Sequence, residues 1–439
     1  MEYLPAWMFL VLTLLLLLGF PVAFTLLGTS LFFGLIGFGW DFFNLLPLRI
    51  WGIITNFTLV AVPLFIFMGV MLERSKLAKD LLEAMSLIFG KKQGGLAISV
   101  IVVGGLLGAS TGIVGATVVT MGLLALPTMM KRGYQHELAT GTIVASGTLG
   151  QIIPPSIVLV LLGDIIGVSV GDLFIGALLP GLLLVLFYIF YVLLLSFLRP
   201  NLAPPVPFEA IQSDFGKISK KSYIIKALFP PLVLIITVLG SIFAGIASPT
   251  EAAGVGAFGA LLLALINKRL TLSVLKETML TTTHLTSMVF IILVGATAFG
   301  LVFRGLGGDM IVREFISHIP FGKWGILATV MTLIFILGFF LDFIEITFIH
   351  IPVLAPIMKS MGFDPVWFAI LFALNLQTSF LTPPFGFALF YLKGVSPPGI
   401  TTEEIYKGVV PFVVIQILVL LLVALFPELA TYLPAKIGK

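Results

Sequence analysis

Apolar runs approaching the width of a bilayer alternate along this chain with short loops that hold most of its charge. A membrane-spanning helix needs about 20 such residues, and spans are predicted at 4–18, 22–38 (started by Pro21) and 50–72. Residues 73–92 depart from that pattern. Leu77, Leu81, Leu82 and Met85 recur at helical spacing among charged neighbours, which predicts an amphipathic helix on the membrane surface. The apolar block 96–130 is interrupted by Gly104, Gly105, Gly108 and Gly112. Each half is short for a crossing, so the pattern predicts a re-entrant hairpin with Ser110 and Thr111 at its tip. A broken helix at 138–166 follows, then a span at 173–198 with Asp172 as its N-cap.

The break in 138–166 is written in the stretch Ser146-Gly-Thr-Leu-Gly-Gln-Ile-Ile-Pro-Pro-Ser156. Gly147 and Gly150 loosen the helix, and Pro154 and Pro155 cannot continue it. Backbone left unpaired in lipid is tolerated only where protein, water or a ligand satisfies it. The restarting half-helix aims its N–H groups and the Ser156 hydroxyl at one spot. A second such stretch, Asn375-Leu-Gln-Thr-Ser-Phe-Leu-Thr-Pro-Pro-Phe-Gly386, lies near the other end. Pro154–Pro155 and Pro383–Pro384 are 229 residues apart, as are Pro127 and Pro356, and Gly133 and Gly362. This nearly constant offset predicts an internal duplication.

The second half then repeats the first, with spans at 227–247, 249–266 and 278–303 and a surface segment at 304–323. A hairpin at 324–358 turns near 338–342, and a broken helix at 365–392 and a last span at 404–426 follow. Between the halves, 199–226 reads as a linker holding Pro200, Pro204, Pro205 and Pro207, then Lys217, Lys220 and Lys221. The predicted fold is an all-α integral membrane protein, an inverted repeat (1–198 and 227–439) with about 10–11 transmembrane helices, two re-entrant hairpins and two broken helices. Five crossings per half turn the second half upside down. On that layout 17 of the 24 Lys and Arg fall on one side, which the positive-inside rule places in the cytoplasm together with the linker. Both termini and both Arg49 and Arg304 then face outward.

Composition agrees: 439 residues are 59% hydrophobic and 10% charged. The first segment lacks a basic start and a clear cleavage site and is read as a mature helix. The absence of cysteine excludes disulfides, thiolate metal sites and cysteine nucleophiles. The chain lacks a Gly-x-x-x-x-Gly-Lys-Ser/Thr phosphate loop, a His-Glu-x-x-His zinc motif and paired aspartates, which argues against a membrane-embedded enzyme. The excess of four positive charges sits in short loops and does not point to nucleic acid.

Gly-Ala-Ser-Thr-Gly at 108–112, Ser-Gly-Thr-Leu-Gly-x-x-x-Pro-Pro-Ser at 146–156, Ser-Pro-Thr-Glu-Ala-Ala at 248–253 and Asn-Leu-x-x-x-x-Leu-Thr-Pro-Pro-x-Gly at 375–386 occur in that order. Over essentially the whole chain this resembles the large membrane subunit of tripartite ATP-independent periplasmic (TRAP) transporters. The resemblance implies a multi-pass protein of the bacterial inner membrane that imports organic acids coupled to sodium by an elevator mechanism, without a covalent cofactor. It implies two partners, a small four-helix membrane subunit and a periplasmic substrate-binding protein, beside membrane lipid and the small organic acid. After Asp342 the family usually has small or proline-like residues, whereas this chain reads Phe343-Ile-Glu345-Ile-Thr-Phe-Ile-His350. That resembles a branch linked to oxo- or hydroxy-acid and other carboxylate uptake, and it speaks against sialic acid.

Candidate substrate-binding residues are Ser110, Thr111, Ser156, Asp342 and Glu345. Intramembrane carboxylates are rare and usually functional, and Asp342 and Glu345 share a helix face. Candidate sodium ligands are Ser110, Gly147, Thr148, Gly150, Asp342, Thr378 and Thr382, as carbonyls or side-chain oxygens near the two breaks. His284 and His350 are read as structural, Arg304 as snorkelling to the interface, and Glu251 as part of a capping box with Ser248. A self-sufficient sodium- or proton-coupled carboxylate carrier of related architecture is the alternative.

Overall fold

The structure, a computed structural model, describes residues 3–112, 114–205 and 220–437, and among them every regular element is a helix. The first half carries α1 (Leu4–Leu17), α2 (Val22–Phe38), α3 (Leu46–Ile54), α4 (Ala61–Arg74), α5 (Leu77–Phe89), α6 (Gly95–Thr111), α7 (Val114–Lys131), α8 (His136–Thr148), α9 (Ile157–Ile166) and α10 (Val170–Leu198). The second carries α11 (Lys220–Phe243), α12 (Pro249–Ile266), α13 (Leu272–Gly305), α14 (Gly308–Ser317), α15 (Gly322–Leu337), α16 (Phe343–Ser360), α17 (Pro365–Leu381), α18 (Phe387–Val395), α19 (Thr402–Leu425) and α20 (Glu428–Ile437). Helix α11 starts inside the expected linker 199–226, of which 206–219 lie outside the described residues.

Seven helices among the described residues are long and apolar enough to cross a membrane, and eight if one bent pair counts as a span. This is fewer than the 10–11 expected. The remainder are apolar helices of 10–17 residues such as α2, α15 and α17, whose rise of ~1.5 Å per residue leaves them short of a 30 Å core. The bent pair corrects the sequence reading further. Trp40–Ile54 and Thr58–Arg74 meet at 58°, where a straight span at 50–72 is expected. The Asn56 side chain accepts the Thr58 N–H (3.0 Å), a local turn that competes with the helix. No other bent pair of that kind occurs among the described residues.

Two further readings change. Helices α7 and α16 have 18 residues each and reach crossing length alone, whereas the halves of 96–130 are expected to be short for a crossing. Pro127, Pro352 and Pro356 lie inside these helices without ending them. Helix α10 is capped by Ser169, which accepts the Asp172 N–H; Asp172 is the third helical residue and not the cap. Helix α5 does run along 77–89 as expected, with Leu77, Leu81, Leu82 and Met85 buried. It is tied to the rest by an Asp80–Arg269 ion pair (2.6 Å) and by Tyr223, which donates to Glu83 (2.7 Å).

The element order of the second half follows that of the first. Helices α7 and α16 end 229 residues apart, α8 and α17 start 229 apart, and α5 and α14 start 231 apart. Packing across the halves is reciprocal. Helix α2 packs on α13 and α4 on α12; α8 packs on α19 and α10 on α17; α7 packs on α18 and α9 on α16. Each pair exchanges the roles of corresponding elements, as surfaces related by a two-fold rotation do. The pairs also fall into two sets. A frame set joins α2, α4, α12 and α13, and an inner set joins α7–α10 with α16–α19.

Polar contacts connect the sets. The Thr120 hydroxyl in α7 donates to Glu73 in α4 (2.8 Å), and Asn56 donates to Asp164 in α9 (2.6 Å). Arg304 in α13 donates to the Pro352 carbonyl in α16 (3.1 Å). That carbonyl is free because its helical partner would be the N–H of residue 356, a proline.

Candidate functional site

Helix α8 is buried from Leu138 to Thr148, continues as a tight 3-10 turn over Leu149–Gln151, and gives way to non-helical chain until α9 starts after the extended Ser156. The corresponding helix α17 stops at the extended Thr382 and restarts as α18 after Gly386. The Pro154–Pro155 and Pro383–Pro384 peptide bonds are both cis. Both interruptions thus fall where the prolines and glycines place them.

Each break is pinned by a helix end from the preceding arm, with different chemistry in the two halves. A Cβ on Gly150 would stand 2.4 Å from the Gly108 carbonyl oxygen, so α6 meets the first break backbone to backbone, an approach that only glycine permits. In the second half, Asn375 donates to the Met331 carbonyl (2.7 Å) and Ser379 to the Phe335 carbonyl (2.6 Å). Helix α17 also packs on α8 and on the turn at 149–151, which gathers the two breaks into one region.

The hydroxyls there share a pattern. Thr148 donates to the Ala145 carbonyl (2.9 Å), Thr378 to Leu374 (2.7 Å), Thr382 to Thr378 (2.8 Å) and Ser156 to Gln151 (2.7 Å). With the proton committed to the backbone, each oxygen has only lone pairs left to offer. That donor set fits a hard cation, which takes oxygen ligands. Ser156 makes no side-chain cap to α9, so the first N–H groups of that helix remain available to an anion. Ser110 and Thr111 end α6 just before the left-handed Gly112, and their side chains lie outside the described residues.

Asp342 is the N-cap of α16, where its carboxylate accepts the Phe343 N–H (2.7 Å). Glu345 closes the box by accepting the Asp342 N–H (3.1 Å). Both side chains are half-buried. The tip before them reaches the second break, where the Phe340 and Phe385 rings lie 5.3 Å apart. On the other side of that break Tyr391 in α18 lies against Gly115, at the start of α7, within 3.0 Å of where a Cβ would stand. Thr378 and Thr382 thus stand at the second break, Asp342 and Glu345 open α16 just after the tip that touches that break through Phe340 and Phe385, and Gly147, Thr148, Gly150 and Ser156 lie at the first break.

Sequence reading passed over Gln151 and Gln377. Both are fully buried, and neither the oxygen nor the nitrogen of either amide has a protein partner. Buried amides are normally paired, and leaving one unpaired is costly. Thr347, two residues beyond Glu345 and so toward the opposite side of α16, is buried with an unpartnered hydroxyl. The available signal was position: Gln151 and Gln377 are polar residues in apolar surroundings, inside the two motif stretches, with no turn-forming role.

A cavity of about 570 Å³ opens elsewhere, between α3 and α13 on one wall and α9 and α16 on the other. Its lining includes Arg49, Asn56, Asp164, Arg304 and Pro352. Ten residues of α16 separate Pro352 from Asp342, ~15 Å along the helix axis. Arg304, read from sequence as snorkelling, is exposed in the last turn of α13 and also donates across the boundary between the helix sets.

A family model described as "Tripartite ATP-independent periplasmic transporter, DctM component" matches residues 9–429. The ectoine TRAP transporter large permease protein TeaC of Halomonas elongata is 31% identical over 422 residues, 95% of this chain and 96% of that one. The sialic acid TRAP transporter large permease protein SiaM of Vibrio cholerae is 30% identical, covering 96% of each chain. The C4-dicarboxylate TRAP transporter large permease protein DctM of Rhodobacter capsulatus is 29% identical, covering 88% of each. Among solved structures, the crystal structure of the Alcanivorax borkumensis YdaH transporter superposes with a TM-score of 0.63 at 14% identity, over 96% of this chain and 100% of that one, a likeness of fold.

Proposed function

Since the chain belongs to the DctM component family of tripartite ATP-independent periplasmic transporters, we propose that it is the sodium-coupled permease subunit of an importer for a small organic acid anion. It is a multi-pass protein of the bacterial inner membrane. In this reading residues 1–198 and 227–439 are inverted repeats joined by a cytoplasmic linker. The segments 96–130 and 324–358 act as hairpins and 138–166 and 365–392 as broken helices. The inner helix set moves as a body against the frame set, an elevator motion. The small membrane subunit widens the frame, and the periplasmic binding protein delivers the anion.

The observation that carries the proposal is the pair of breaks at corresponding positions, gathered into one region. Their hydroxyl oxygens, with the carbonyls near Gly147, Gly150 and Thr378, supply a cation's ligands. The helix start after Ser156 supplies an anion's partners, and Asp342 and Glu345 stand at the facing tip. A carboxylate there attracts sodium and repels an unaccompanied anion, so the two ligands share a coupling free energy. The unpaired amides of Gln151 and Gln377 add donors and acceptors that a carboxylate substrate can use.

The three permease relatives carry different substrates in their names, so the family does not fix the anion. The branch signature at 343–350 favours a hydroxy- or oxo-carboxylate. Proteoliposomes test the reading. Sodium-driven uptake is expected with all three components and absent with this chain alone; full uptake by the chain alone would replace the tripartite reading with a self-sufficient carboxylate carrier.

A further inference from the structure

The cavity between the helix sets lies well away from the hairpin tip and has its own charge. Arg49, on the frame wall, has no hydrogen-bond or ion-pair partner among the described residues. Arg304 spends one N–H on the Pro352 carbonyl and keeps the rest of its five-donor fork. The lining carboxylate, Asp164, is engaged by the Asn56 amide at 2.6 Å. Two guanidinium groups against one carboxylate leave the cavity one positive charge in excess, and both arginines are exposed, so an entering anion can reach them. Pro352 keeps this wall polar as well: it has no N–H for the Phe348 carbonyl, so that acceptor is released beside the one Arg304 occupies.

We propose that this cavity is a receiving vestibule, a second binding place for an organic carboxylate, held between Arg49 and Arg304 before it reaches the breaks. Arginine forks suit this ligand because they meet a carboxylate through two parallel hydrogen bonds. A volume of about 570 Å³ admits a small organic acid with water. Arg49 and Asn56 belong to the frame side, Asp164 and Pro352 to the inner set, so sliding one set on the other changes the vestibule's shape. A carboxylate bound here is handed on when that boundary shifts. The vestibule rests on the importer reading for its outward orientation.

The chain has no cysteine, and Gly52 lines the cavity with open space where a Cβ would stand. Gly52→Cys therefore places one reporter there. Membrane vesicles of both orientations, containing the complete transporter, are treated with methanethiosulfonate reagents carrying either a sulfonate or a trimethylammonium group. The sulfonate reagent is expected to react faster, with a preference that falls about three- to tenfold in Arg49→Gln and persists in Arg49→Lys. Succinate, used as a carboxylate probe, should slow labelling in the parent and require at least about tenfold more in Arg49→Gln. Equal rates for the two reagents, unaffected by Arg49→Gln, overturn the vestibule; so does a lack of protection by succinate. Labelling confined to inside-out vesicles overturns the proposed orientation and leaves the charge preference to be read on the other face.

Discussion

At Asp342, removal of the charge and removal of the helix cap are separable by choice of substitution. Asparagine caps as well as aspartate, so Asp342→Asn keeps the hydrogen bond from Phe343 and discards only the charge. Loss of a charge-assisted ligand costs about 1.5–3 kcal/mol. The sodium concentration for half-maximal uptake should therefore rise roughly ten- to hundredfold, and more mildly in Thr382→Ala. Unchanged sodium dependence in Asp342→Asn would leave that residue as a cap alone. Asp342→Ala should additionally lower thermal stability by about 1 kcal/mol. Gly150 poses a purely steric test. Gly150→Ala meets the Gly108 carbonyl, which belongs to backbone and cannot swing aside. Folded protein should be lost, whereas Gly240→Ala, with open space around it, should be recovered normally by size-exclusion chromatography in detergent.

Among the elements, both helix breaks were legible because proline and glycine act through the backbone, which sequence states outright. The bend at 55–57 was not, since it depends on one Asn56 side chain choosing the Thr58 N–H. The Asp-x-x-Glu box at 342–345 repeats the signature recognised at Ser248–Glu251 and present again at Thr401–Glu404. It was read as ligand chemistry because it sits in an apolar segment, where a carboxylate draws a functional reading. The span of α16 was close to legible, since the expected turn near 338–342 and end at 358 bracket it; what pattern along one helix does not reveal is the frame arginine that satisfies the carbonyl Pro356 leaves open. The attachment of α17 to α15 gives a prediction at this scale. Asn375→Ala and Ser379→Ala each remove a part-buried hydrogen bond between the two helices and should cost about 0.5–1.5 kcal/mol in thermal unfolding of the detergent-solubilised protein. The double variant should depart from additivity, since both bonds hold the same two helices. Strict additivity would mean the two contacts act independently.

For the whole molecule, the 229-residue offset announced a duplication, while the reciprocal pairing of α2 with α13 and α4 with α12 appears only in three dimensions. An offset orders elements along the chain; it does not say which faces meet. Orientation in the membrane is open to direct measurement. Single cysteines at Ser169 and Ser213 should label from the outside and from the cytoplasm respectively, the latter falling in 206–219, outside the described residues. Labelling of Ser213→Cys but not Ser169→Cys in intact spheroplasts would invert the layout.

Glu73 and Arg304 stand at corresponding places in the two repeats, 231 residues apart, with opposite charge, and each is hydrogen-bonded across to the other helix set, Glu73 accepting from Thr120 and Arg304 donating to Pro352. A symmetric machine would rest equally well at either end of its stroke. In the elevator reading both bonds are made in this one conformation, an anion accepting a hydroxyl in one repeat and a cation donating to a carbonyl in the other, so both hold the molecule in the same posture and leaving it is a climb. Glu73→Gln and Arg304→Gln should then both loosen that posture, seen as changes of the same sign in how fast a cysteine at position 52 is reached from outside.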